Sequence, residues 1–116
     1  IIVKKVLPKK FRLPKEKFQY IYSKGIKLRG KYGMLIYSRD IDLKNPLLGI
    51  VVSRKIGNSV RRHKMTRLVR NIFISVVEEK NLFQSPVLLE YIAFDFCDDY
   101  NLLKKELEGQ IIKALS

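Results

Sequence analysis

The sequence predicts one small α/β domain, an α+β sandwich whose elements run α-β-β-α-β-α across residues 1–116. Three observations predict it. The chain has 116 residues, 47% of them hydrophobic, which is enough for one core and too short for a second domain. Segments with apolar residues three and four apart interleave with short apolar runs of β-forming residues, the mark of helices mixed with strands. No internal repeat, low-complexity stretch or linker interrupts the pattern.

Taken in order, Lys15 to Lys24 (KEKFQYIYSK) puts Phe18, Ile21 and Tyr22 at i, i+3 and i+4. Pro14 suits a first helical turn and Gly25 a stop, so a helix is expected from about Pro14 to Lys24. Ile26 to Arg29 is a possible extra short strand. Tyr32 to Arg39 (YGMLIYSR) and Leu47 to Ser53 (LLGIVVS) read as strands joined by a polar loop, Asp40 to Pro46. From Ser59 to about Lys80 the residues Met65, Leu68, Val69, Ile72, Phe73 and Val76 form one apolar stripe, with Ser59 as the expected N-cap. Pro86 to Phe94 (PVLLEYIAF) reads as the last strand. Asp99 to Leu115 returns to helical spacing through Leu102, Leu103, Leu107, Ile111, Ile112 and Leu115.

The charge is large and unevenly spread. The chain carries 24 Lys and Arg against 11 Asp and Glu, a formal net charge of +13. Residues 1–31 hold eleven basic residues and one acid, Glu16, and residues 54–70 hold seven basic residues and none; residues 71–116 are net acidic. Such segregation gives a one-sided field and makes a polyanion, nucleic acid or an anionic surface, the expected partner. Monomers repelling one another in the absence of that partner are expected too.

One cysteine, Cys97, excludes an internal disulfide, and with a single histidine, His63, the usual Cys/His zinc sites are excluded as well. This composition points to the cytoplasm. No apolar window is long enough to span a membrane, and the N-terminus (Ile1 to Val3, Lys4-Lys5, Lys9-Lys10) lacks the stretch a signal peptide needs. A protein nuclease would need clustered carboxylates. The only dense acidic group is Asp95, Asp98 and Asp99, and capping or loop roles suit Asp98-Asp99 better than a metal; Asp40 and Asp42 read as turn chemistry. Cys97 has no basic sequence neighbour to activate it and reads as a buried small residue.

The segment with the strongest signal is Val52 to Arg70. On a wheel of about 100° per residue, His63, Arg67 and Arg70 share an arc opposite the apolar stripe, with Arg62 and Lys64 flanking it. Seven bases without an acid leave no i, i+4 ion pair, so a merely solubilising helix is a poor account of them. The helix start, preceded by Gly57-Asn58, offers N–H groups and a positive dipole to a phosphate.

The run S-R-K-I-G-N-S-V-R-R-H-K-M-T-R-L-V-R, Ser53 to Arg70, resembles the signature of the bacterial ribonuclease P protein family, K-x-G-N-A-V-x-R-N-x-x-K-R. Phe18 to Gly25 resembles the family's F-x-x-V-F-x-x-G element, and Leu48 to Ser53 its L-G-x-x-V-S strand. Residues 4–115 fit the family's element order. Two departures stand out: His63 and Thr66 replace the usual Asn and Lys, and the last strand is followed by Phe94-Asp95-Phe96-Cys97-Asp98-Asp99 where the family often has a basic turn.

The resemblance implies a left-handed βαβ crossover, as in a domain of some ribosomal proteins and translation factors, where general handedness rules give a right-handed one. It implies a ribonucleoprotein subunit that helps remove the 5′ leader from precursor tRNA, with the RNA subunit carrying catalysis and its Mg2+ ions. Arg54, Lys55, Asn58, Arg61, Arg62, His63, Lys64, Arg67 and Arg70 are then the expected contacts to ribonuclease P RNA, and Arg12, Phe18 and Tyr22 the wall of the leader cleft. No catalytic and no metal-binding residue is expected in the protein. On the residues alone, Phe18 and Tyr22 fit a core position as well as a stacking platform beside Lys15, Lys17 and Lys24. The competing reading is a ribosomal or chaperone-type RNA-binding protein with no processing role. A metal-dependent nuclease acting alone is opposed by the carboxylates.

Overall fold

The computed structural model describes residues 7–116; the N-terminal run weighed above as a signal peptide lies largely outside them. Helix α1 (Lys15–Lys24) leads into strands β1 (Ile26–Arg29), β2 (Gly33–Arg39) and β3 (Leu47–Val51). Helix α2 (Ser59–Lys80), strand β4 (Val87–Ala93) and helix α3 (Tyr100–Leu115) complete the chain. The helices match the sequence reading closely, and the optional strand at Ile26 to Arg29 is real. The strand expected to reach Ser53 stops at Val51, because Ser53 accepts a hydrogen bond from the Lys55 N–H and starts a 3-10 turn, Arg54–Ile56.

The four strands form one sheet in the order β1-β2-β4-β3. β1 with β2 and β2 with β4 are antiparallel, and β3 lies parallel to β4, with α2 as the crossover between them. Register sorts the side chains. Leu28, Leu35, Tyr91 and Ile50 share one row, and the next row, Lys27, Ile36, Glu90 and Gly49, points to the other face.

The first face is covered by α2 and α3. Met65, Val69, Ile72, Phe73 and Val76 of α2 meet Leu103, Leu107, Ile111 and Leu115 of α3 over Leu35, Leu89 and Tyr91, all buried. Each such side chain contributes about 1.5–3 kcal/mol of burial. Polar ties fix α3: Gln110 Nε2 donates to the carbonyls of Leu28 (2.9 Å) and Gly33 (3.2 Å), and Glu106 accepts from the Lys31 and Tyr32 N–H groups. Among the described residues the second face carries the single helix α1, whose buried Ile21 packs with Met34, Ile36, Leu88 and Leu13. Among the described residues no helix is long and apolar enough to cross a membrane.

Candidate nucleic-acid interface

The start of α2 is built by three local devices. Gly57 sits at φ 142°, a backbone state that favours glycine, and a Cβ there would stand 2.7 Å from Arg61 Cδ. Asn58, not the expected Ser59, is the N-cap: its Oδ1 accepts from the Arg61 N–H at 3.0 Å, and Ser59 is the first helical residue. The amide side chain expected to reach RNA is thus partly committed to its own helix. Ile56, buried, pins the 3-10 turn that carries the exposed Arg54 and Lys55.

Along α2, Ser59, Val60, His63, Lys64 and Arg67 line an open groove, and the last three are exposed. Val60 is 73% exposed in the middle of these polar residues, an apolar step on which a sugar or base could rest. Arg61 is exposed, while Arg62 and Arg70 are half-buried, so the wheel's arc divides in three dimensions and Arg70 does not line the groove. Arg62 Nε is buried with no hydrogen-bond partner among the described residues, a donor left unsatisfied by the protein. Thr66, at the second departure, donates its hydroxyl to the Arg62 carbonyl at 2.8 Å. Among the described residues Asp98 pairs with the ridge, 3.7 Å from Lys64 with both side chains 57% exposed, too solvated to cancel its charge.

On the α1 face, Phe18 is half-buried and lies on Gly49, where a Cβ would stand 2.3 Å from its Cζ. Glycine at that strand position is what lets the ring settle on the sheet. Tyr22 is 52% exposed, with Lys27 Nζ 5.1 Å from its ring centre and donating to the Tyr22 carbonyl at 2.8 Å. Phe18 is therefore shared between core and surface, and Tyr22 belongs to the surface. Arg12 is exposed, its Nε donating to the Leu7 carbonyl at 2.9 Å, beside the backbone bridge it makes to Leu48.

The acids serve other ends. Asp99 caps α3 by accepting from the Leu102 N–H, Asp95 accepts from the Phe96 N–H, and Asp40 accepts from the Asp42 N–H. Cys97 is buried, its thiol directed at the Asp99 carbonyl. Among the described residues no three His, Cys, Asp or Glu side chains converge.

A cationic helix with an open, capped start, on a mixed four-stranded sheet with a second aromatic and basic face, is the frame in which the comparisons with known proteins stand. The family model described as Ribonuclease P matches residues 7–110. The chain belongs to the ribonuclease P protein family. A ribonuclease P protein component from Bacillus cereus is 33% identical over 105 residues, covering 87% of this chain and 88% of that protein. One from Nitratiruptor sp. is 32% identical over 65 residues, covering 56% of this chain and 57% of its own length, so the chain spans little more than half of that relative. Among solved structures, the RNase P protein from Thermotoga maritima superposes with a TM-score of 0.74 at 25% identity, covering 88% of this chain and 96% of that one. The small α+β fold with its mixed sheet and three helices is that of these family structures.

Two features of the family member were missed in the sequence. Glu90, read as part of an apolar strand, is only 4% exposed on the α1 face, with Oε1 unpartnered. Burial raises its pKa above the usual carboxylate range, and Lys27 partly offsets this. The period-two register could have flagged it, since Leu89 and Tyr91 must face the larger core and Glu90 therefore the other side. The second is a pair of ring-seated arginines, Arg29 over Phe94 and Arg61 over Phe96, which join distant segments and leave no local signal.

Proposed function

We propose that this chain is the protein subunit of a ribonuclease P ribonucleoprotein. It binds the catalytic RNA through α2 and the turn before it, holds the 5′ leader of precursor tRNA along α1, and assists endonucleolytic removal of that leader. The observation that carries the reading is the ridge of His63, Lys64 and Arg67, continuous with a capped helix start and almost free of carboxylates, in a chain of this family. Such a ridge neutralises phosphates and releases counterions, so binding weakens steeply with salt. Phe18 and Tyr22 beside Lys27 supply ring faces and charge, which single strands use without reading a sequence.

Catalysis is assigned to the RNA. Magnesium would supply the hydrolytic chemistry there; in the protein, Asp99 caps a helix and Asp95 closes a turn, and among the described residues no three His, Cys, Asp or Glu side chains converge. The protein's own part is to bind, to orient the leader and to screen phosphate repulsion. A cytoplasmic location goes with this role.

The test is cleavage of precursor tRNA by a bacterial ribonuclease P RNA at low magnesium, with and without the protein, beside the protein alone. The reading expects an inert protein that lowers the magnesium requirement and favours leader-bearing substrate over mature tRNA. Equal binding of both RNAs with no change in cleavage would replace it with a general RNA-binding role.

A further inference from the structure

The turn after β4 is acidic by sequence, Phe94-Asp95-Phe96-Cys97-Asp98-Asp99, yet two arginines from elsewhere sit on its rings. Arg29 of β1 places its guanidinium 5.5 Å from the centre of Phe94, and Arg61 of the first turn of α2 places its own 4.8 Å from Phe96. Phe94, like Phe18 and Ile92, packs against the small cluster under α1, whereas Phe96 packs against the larger core. The turn thus runs from the α1 face to the start of α2, with one exposed arginine held at each end.

How a cation is held decides what it can still do. A carboxylate would fix the arginine and cancel its charge. A ring attracts the cation through its quadrupole and fixes its position while leaving the full positive charge for another partner. The nearby acids take other partners: Asp95 accepts from the Phe96 N–H, Asp99 caps α3, and Asp98 lies by Lys64. Among the described residues neither Arg29 nor Arg61 forms a salt bridge.

We propose that Arg29 seated on Phe94 and Arg61 seated on Phe96 form a phosphate-binding platform for single-stranded RNA between the α1 face and α2. The inference deepens the leader-binding reading and rests on it. A single strand fits better than a duplex, because the two cations flank one turn and lie at the ends of two different elements, a path a flexible backbone can follow.

The test uses the full chain, with a short fluorescent single-stranded RNA titrated at several salt concentrations and duplex RNA as competitor. Arg29→Gln and Arg61→Gln are each expected to weaken single-strand binding about three- to tenfold and to make the log–log salt slope shallower by about 0.7. Phe94→Leu and Phe96→Leu keep apolar bulk and charge, so affinity should fall about twofold or more with the slope unchanged. Lys80→Gln, an exposed lysine at the far end of α2, is the charge control. If the arginine variants behave like Lys80→Gln, or if only the phenylalanine variants are neutral, the platform is refuted. Phe18→Leu separates that failure from failure of the underlying reading: if it too binds the single strand as tightly as the parent, the α1 face does not hold the leader.

Discussion

Among the described residues, the cluster that α2 and α3 build with one face of the sheet has twenty buried members, while the cluster on the α1 face has five. The closed face holds Leu89 and Tyr91 beneath two helices. The other leaves Phe18, Ile92 and Phe94 half-buried and encloses the carboxyl of Glu90. The difference separates stability from recognition: a sheet sealed on one side can leave the other partly open to a ligand. The exposed cations follow the same division, standing on the outer side of α2 and along the rim of the α1 face.

The largest expected effect lies at the closed face. Ile72→Ala, at a fully buried site, should cost about 2–5 kcal/mol in urea unfolding while the folded protein binds RNA normally. A loss under 1 kcal/mol would mean that the core does not sit there. Next comes Arg67→Ala, expected to lower RNA affinity by about 1–3 kcal/mol with unfolding changed by less than about 0.5 kcal/mol; a change in stability without a change in affinity would reverse the assignment.

Glu90→Gln sharpens the open face through pH. Because burial raises the folded pKa of Glu90, the folded state favours the protonated acid. Its contribution is fully present below the unfolded pKa and is lost as pH rises through the folded one. Glu90→Gln should therefore gain stability over the parent at neutral pH, and that gain should vanish in acid, as thermal melts across pH would record. A gain independent of pH would show that the carboxyl titrates normally. The smallest effect is expected from Asp98→Asn, where an exposed pair is worth about 0.5 kcal/mol or less. Unfolding should hardly change and RNA affinity should rise slightly at low salt; a fall in affinity would give Asp98 a role in binding.

The helices were legible because their apolar stripes recur over many residues, as in Met65, Val69, Ile72 and Val76. So was the cationic ridge, a local property of the chain. Ser59 in place of Asn58 as the cap was a one-residue error of a kind the sequence invites, since both side chains can cap and only the backbone decides. The half-burial of Arg70 was not legible, because a wheel ignores what α2 packs against. Glu90 was hidden inside an apolar run, and the arginine–phenylalanine pairs depend on β1, α2 and the turn after β4 meeting in space.

The central claim, that α1 grips the leader while α2 holds RNA, is met most directly by comparing the affinities of the assembled ribonucleoprotein for precursor and mature tRNA in the parent, Phe18→Leu and Arg67→Ala. Phe18→Leu keeps an apolar side chain over Gly49 and removes the ring. The account predicts that it brings the precursor-to-mature ratio toward one, whereas Arg67→Ala weakens assembly and keeps the ratio. A ratio untouched by Phe18→Leu and abolished by Arg67→Ala would contradict it.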